Sequence, residues 1–187
     1  SRTYPFVPRH AEEIAERNRL ADALVRPDGV EPPPLFTELA VDGVLAVDSS
    51  GQVSPQVDER IEAIGAPAVW LNRDPACVRI SVSVDEQANA RTLTEHLIKL
   101  GHRHIAYYGP EMRAHYSARL RPESMAGVCH DAGLSAPALI LGERGQWGHE
   151  LAGRLLDLCP RPTAVVTYTE RALNVVLYEA NARGLKV

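Results

Sequence analysis

Polar groups suited to ligand binding gather along this chain directly after short apolar runs. Asp48 and Ser49 follow "VLAV"; Asn72, Arg73 and Asp74 follow "AVWL"; a loop from Glu111 to Arg121 is expected after "HIAYYGP"; Gln146 and Trp147 follow "ALILG"; Thr169 and Glu170 follow "TAVVTY". Hydroxyls, amides, an arginine fork and one large aromatic are the groups with which a pocket holds a small polar metabolite. Each also has a plain structural use. Trp147 would anchor the Gly-rich "GERGQWG" loop as a partly buried aromatic, and Arg121 would join a surface ion pair. Thr169 would cap a helix whose first turn favours the charge of Glu170.

Catalytic chemistry finds little support. There is no G-x-S-x-G elbow, no G-x-x-x-x-G-K-[ST] phosphate loop, no H-E-x-x-H zinc helix and no Gly-rich dinucleotide turn after a strand. The seven histidines are scattered: His102 and His104 flank the start of a strand, His96 shares a helix with Glu95, and His10, His115, His130 and His149 read as solvated or structural. The expectation is a binding protein that is not an enzyme and uses no cofactor and no metal.

The elements that must position these groups alternate. "AEEIAERNRLADAL" has helix-forming composition from Ala11 to about Leu24, and "PDGVEPPPLF" is too rich in proline to be a helix or a central strand. "VDGVLAVDSS", "PAVWLNRD", "RISVSVD", "HIAYYG", "PALILG" and "TAVVTY" read as strands or extended pieces. Between and after them lie helical segments: "SPQVDERIEAIG", "DEQANARTLTEHLIKLG", "SMAGVCHDAG", "HELAGRLLDLC" and "ERALNVVLYEANARG". Asp85 is a good N-cap and Gly101 a good residue to end the second of these helices. Strands alternating with helices predict an α/β fold with parallel sheet and right-handed crossovers. In such sheets ligands bind outside the carboxyl ends of the strands, where the residues named above fall.

Bulk properties narrow the class. A length of 187 residues allows one domain or two small ones. Lys plus Arg at 20 against Asp plus Glu at 24 gives a net charge of -4, so this stretch offers no general reason to bind nucleic acid. Cys77, Cys129 and Cys159 form neither a disulfide framework nor a C-x-x-C metal site, which fits a reducing cytoplasm. No apolar stretch reaches the ~18 to 20 residues that cross a bilayer, so no membrane contact is expected. The chain opens on a loop and a helix and stops at "GLKV", where a further strand would begin. It is expected to be incomplete at both ends.

"VDEQANARTLTEHLIKLGHRHIAYYGP", "SARLRPESMAGVCHDAGL" and "RPTAVVTYTERALNVVLYEANARGLKV", preceded by "VDGVLAVDSS" and "PAVWLNRDP", resemble in order and spacing the effector-binding domain of the lactose-repressor and galactose-repressor family. The resemblance covers roughly residues 40 to 187. It implies two Rossmann-like parallel-sheet subdomains of the periplasmic-binding-protein-like I type, with a small effector between them. Residues 1–100 would form the N-terminal subdomain and 101–187 the C-terminal one, with "LGHRH" as the joint where the chain passes from one to the other.

The same resemblance implies site residues. Family members carry S-x-x-x-R-x-x-G-F with the guanidinium on the effector, which places Ser117 and Arg121 in register while Ser124 and Met125 replace Gly and Phe. Trp147 would stack on the effector, and Thr169 and Glu170 stand where an Asn-Asp pair is typical. Asp48, Ser49, Arg73 and His10 would complete the site from the N-terminal side. The implied function is effector binding and dimerisation in a cytoplasmic bacterial repressor that senses a sugar or nucleobase-like metabolite. Its homodimer would reach operator DNA through a headpiece that this chain does not include. The alternative is an extracytoplasmic solute-binding protein of a sugar transporter, which uses the same fold.

Overall fold

The computed structural model of the protein describes residues 42–47, 55–63, 65–74, 76, 80–113, 115–143 and 148–187. The expected helix from Ala11 and the proline-rich connection lie outside these residues.

A first sheet is built from β1 (Val44–Val47), β2 (Ala68–Leu71) and β3 (Ser81–Val82), in that order, all parallel. Helix α1 (Pro55–Ala63) connects β1 to β2. Four consecutive apolar residues in β2, two of them Val69 and the aromatic Trp70, suit a central strand with neighbours on either side.

Helix α2 (Glu86–Lys99) follows. Its start and stop are those read from sequence: the Asp85 carboxylate accepts the Ala88 N–H at 2.8 Å, and Gly101 takes φ of 95° beyond the last turn. Arg103 donates to the Ile98 carbonyl at 3.1 Å, so a basic residue of "LGHRH" does serve the helix C-terminus.

The second sheet has the order β5-β4-β6, again all parallel, from β4 (Ile105–Pro110), β5 (Ala138–Gly142) and β6 (Ala164–Thr167). Its helices are α3 (Tyr116–Asp131), α4 (His149–Leu156) and α5 (Glu170–Ala182). Every residue of β4 is buried because both faces are covered. Ile105 and Tyr107 pack with Ala90 of α2 and with Met125 and Cys129 of α3. Ala106 and Tyr108, on the other face, pack with Ala152 and Leu155 of α4 and Ala172 and Val176 of α5.

Two features differ from the sequence reading. The stretch before Arg121 is not loop throughout: α3 begins at Tyr116, five residues earlier, so Arg121 is helical. The second concerns the joint. Ala90, Leu97 and Ile98 of α2 pack with the β4 and α3 core, which groups α2 with the second sheet, while β3 pairs with β2. The chain leaves the first sheet after Val82, and the Gly101 turn is a helix-to-strand joint within the second unit. Among the described residues no helix is long and apolar enough to cross a membrane.

Candidate functional site

Arg121 lies in the second turn of α3 and meets the first residue of α2. Its Nε donates to Glu86 Oε2 at 2.6 Å and its Nη2 to Oε1 at 2.9 Å, a bidentate fork. Nη1 donates to the Tyr168 carbonyl at 3.0 Å, and the guanidinium lies 4.8 Å from the centre of the Tyr168 ring. Glu86 sits in the first turn of α2, where the helix dipole favours a carboxylate. The burial is uneven: the Glu86 side chain is 5% exposed and that of Arg121 is 28%. Hydrogen bonding to Glu86 raises the Arg121 pKa against the opposing effect of burial, so the fork stays charged.

A second network joins the loop after β2 to the ends of β4 and β6. His115 Nε2 bonds the Asn72 carbonyl at 3.0 Å, and since a carbonyl only accepts, that nitrogen carries the proton. Nδ1 then accepts from the Ser117 hydroxyl at 2.6 Å and the Ser117 N–H at 3.3 Å, capping α3. With its proton so used, Ser117 Oγ accepts from the Tyr168 hydroxyl at 2.8 Å. Asn72 has φ of 60°, a left-handed conformation that Asn tolerates better than most side chains. Its Oδ1 accepts from the Tyr116 hydroxyl at 3.4 Å.

Beneath Arg121 lies Tyr107. The side chain is fully buried and its hydroxyl has no hydrogen-bond partner among the described residues. Burial pushes this phenol above its ordinary pKa, the Arg121 charge opposing and Tyr168 and Glu86 adding to the rise. Gly109, two residues along the same strand, makes room for it. A Cβ at Gly109 would stand 2.4 Å from Cε1 and 2.8 Å from the hydroxyl of Tyr107, so the ring lies along β4 toward its carboxyl end.

The other residues singled out from sequence are placed as follows. Arg73 is buried and held by a bidentate pair with Asp58 of α1, Nη1 to Oδ1 and Nη2 to Oδ2, the latter at 2.6 Å. It stacks 4.2 Å from the centre of the Trp70 ring and accepts from Ser83 through its carbonyl, which makes it a brace of the first sheet. Thr169 accepts the Ala172 N–H at 3.2 Å as the N-cap of α5, and Glu170 is exposed in the first turn. His10, Asp48, Ser49 and Trp147 lie outside the described residues. The structure therefore brings Arg121 together with Ser117, Tyr168, His115 and Glu86. Of these His115 had read as scattered, and Glu86 had been hidden beside the cap Asp85. Among the described residues no group of three His, Cys, Asp or Glu side chains is placed to hold a metal.

Comparison with known proteins bears on what such a strand-end site serves. Residues 94–187 match the family model described as the periplasmic binding protein-like domain. The HTH-type transcriptional regulator GntR of Escherichia coli (strain K12) is 27% identical over 151 residues, covering 79% of this chain and 44% of that regulator. The chain thus spans less than half the length of this curated relative. A putative LacI-family transcriptional regulator from Rhizobium etli superposes with a TM-score of 0.68 at 25% identity, covering 82% of this chain and 57% of that one. A LacI-family transcriptional regulator from Mycobacterium smegmatis is 30% identical with a TM-score of 0.58, over 82% and 57%.

Proposed function

Because the chain belongs to the periplasmic binding protein-like domain family, we propose that it is the effector-binding part of a bacterial transcriptional regulator whose ligand meets Arg121 at the carboxyl ends of β4 and β6. The observation that carries this reading is the junction itself. One hydrogen-bonded chain, Tyr168 to Ser117 to His115 to the Asn72 carbonyl, ties the second sheet to the loop after β2. A ligand seated there would contact both units and bias how they sit, and a shift of population requires different affinity in the two poses.

The two units divide at residues 83–85. Arg121, Ser117 and Tyr168 act from the second unit, with Thr169 and Glu170 just after β6 and Trp147 after β5 in the sequence. Asp48, Ser49, Arg73 and His10 belong to the first side, Arg73 as a brace. The ligand is a sugar or a small metabolite of similar polarity. Operator DNA is reached through a headpiece outside this chain, a homodimer matches a two-fold operator, and the compartment is the cytoplasm. The chemistry is binding and not catalysis.

The experiment is a screen of sugars and nucleobases by thermal unfolding, followed by calorimetry on the best binder. Arg121→Ala is expected to weaken its affinity at least tenfold. An unchanged affinity in a folded variant places the ligand elsewhere.

A further inference from the structure

Arg121 does not offer the site a free positive charge. Three of its five N–H groups are engaged, two on the Glu86 carboxylate and one on the Tyr168 carbonyl. One N–H remains on each terminal nitrogen, and 28% of the side chain is exposed to use them. The neutralising carboxylate is itself 5% exposed, so water screens it little. Glu86 is held where it is from two directions, by the start of α2 and by the fork. Arg73, the arginine after β2, is buried and paired with Asp58. Ser117 and the Tyr168 hydroxyl, two further polar groups of the cluster, are uncharged donors and acceptors.

From this we infer that Glu86 is a specificity-determining residue: it cancels the charge of Arg121 and leaves a rigid pair of N–H donors that takes an uncharged, hydroxylated ligand and rejects one bearing a carboxylate, sulfate or phosphate. The inference rests on the placement of the ligand at Arg121 given above. A ligand anion on the free N–H groups would stand beside the Glu86 carboxylate in a poorly solvated place, where like charges repel strongly. A neutral hydroxyl accepts from the same N–H groups and meets no such repulsion. Arg121 supplies direction and Glu86 supplies the charge filter.

The test does not need the natural ligand. The protein is unfolded thermally in rising sulfate, with ionic strength held constant by chloride. Wild type is expected to show no response. Glu86→Gln leaves a net positive fork and is expected to gain a midpoint that climbs with the logarithm of sulfate concentration, as for any ligand of the native state. That gain disappears in the Glu86→Gln/Arg121→Gln double variant. Sulfate stabilising wild type but not Arg121→Gln, or failing to stabilise a folded Glu86→Gln, overturns the inference.

A second arm uses wild type alone and survives a variant that does not fold. Calorimetric titration with glucose, galactose and ribose against gluconate, galactonate and ribonate is expected to favour the aldose of a pair at least tenfold. Tighter binding of an aldonate than of its aldose overturns the charge filter. Binding of none of the six, with the sulfate response as expected, refutes the sugar reading of the site and supports the charge filter on its own.

Discussion

Each sheet carries an arginine fork closed on a carboxylate and stacked on an aromatic ring, and the two forks are buried in opposite senses. In the first sheet the Arg73 side chain is 8% exposed and its partner Asp58 is 30% exposed; in the second, Arg121 is 28% exposed and Glu86 only 5%. The first pair turns its acid outward and keeps its base inside, which suits a brace between α1 and the end of β2. The second keeps its acid inside and leaves part of its base reachable, which suits a group that meets a ligand without a net charge. The same two side-chain types in the same bidentate geometry thus serve different ends, and burial distinguishes them.

Removing the arginine from each pair sharpens this contrast most. Arg121→Ala strands a buried carboxylate and is expected to destabilise the fold by ~3 to 5 kcal/mol, as when one member of a buried pair is lost. Arg73→Ala leaves Asp58, which is partly exposed and can be hydrated, so the expected cost is about 1 to 3 kcal/mol from the lost hydrogen bonds and stacking. Urea denaturation of both variants measures the difference. Equal costs would break the comparison.

The support beneath the second fork is expected to respond next. Gly109→Ala drives a methyl against the fully buried Tyr107 ring, so the expected loss is ~1 to 3 kcal/mol, read as a lower urea midpoint at unchanged slope. No comparable effect is expected at Gly148, whose Cβ would meet nothing within 4 Å. The tie between the sheets comes third. Ser117→Ala removes the hydroxyl that links Tyr168 to His115 and is expected to cost ~1 to 2 kcal/mol. Amide exchange of Ala118 and its neighbours in the first turn of α3 should quicken, because the cap loses its partner. Unchanged exchange there would mean that the tie does not hold α3.

What could be read from sequence follows the range of the physics involved. Asp85 and Gly101 mark the ends of α2 through contacts made within a few residues, so their types announce them. The alternation of apolar runs with helical segments likewise foretold parallel sheet, while the division into two sheets came only with the resemblance to the lactose-repressor and galactose-repressor family. The start of α3 was not legible, because its N-cap is His115, an unusual capper, and because Pro122 inside the helix argues against one. Glu86 and Arg121 are 35 residues apart, and their pairing exists only because α2 packs on α3. The passage between the sheets was placed at "LGHRH" through the resemblance, and the chemistry of a helix-to-strand turn does not reveal which sheet the preceding helix packs against.

The smallest expected effect tests whether the cluster around the second fork is dry. At neutral pH Tyr107→Phe removes a hydroxyl that has no partner among the described residues, so it should change stability by less than about 1 kcal/mol. The variant should separate from wild type only in alkali. Burial raises the folded-state pKa of Tyr107 above the ordinary 10.0, so the folded chain holds that proton more tightly than the unfolded one. The resulting contribution is complete below pH 10.0 and is lost as pH rises from there through the folded value, by up to ~1.4 kcal/mol per pH unit. Denaturation at pH 8 and pH 11 should therefore show wild type losing more stability than Tyr107→Phe. The variant keeps a smaller decline, because burial raises Tyr108 and Tyr116 as well. Equal declines would mean that water reaches Tyr107 from the ligand side, and the fork above it would then be better screened than its burial indicates.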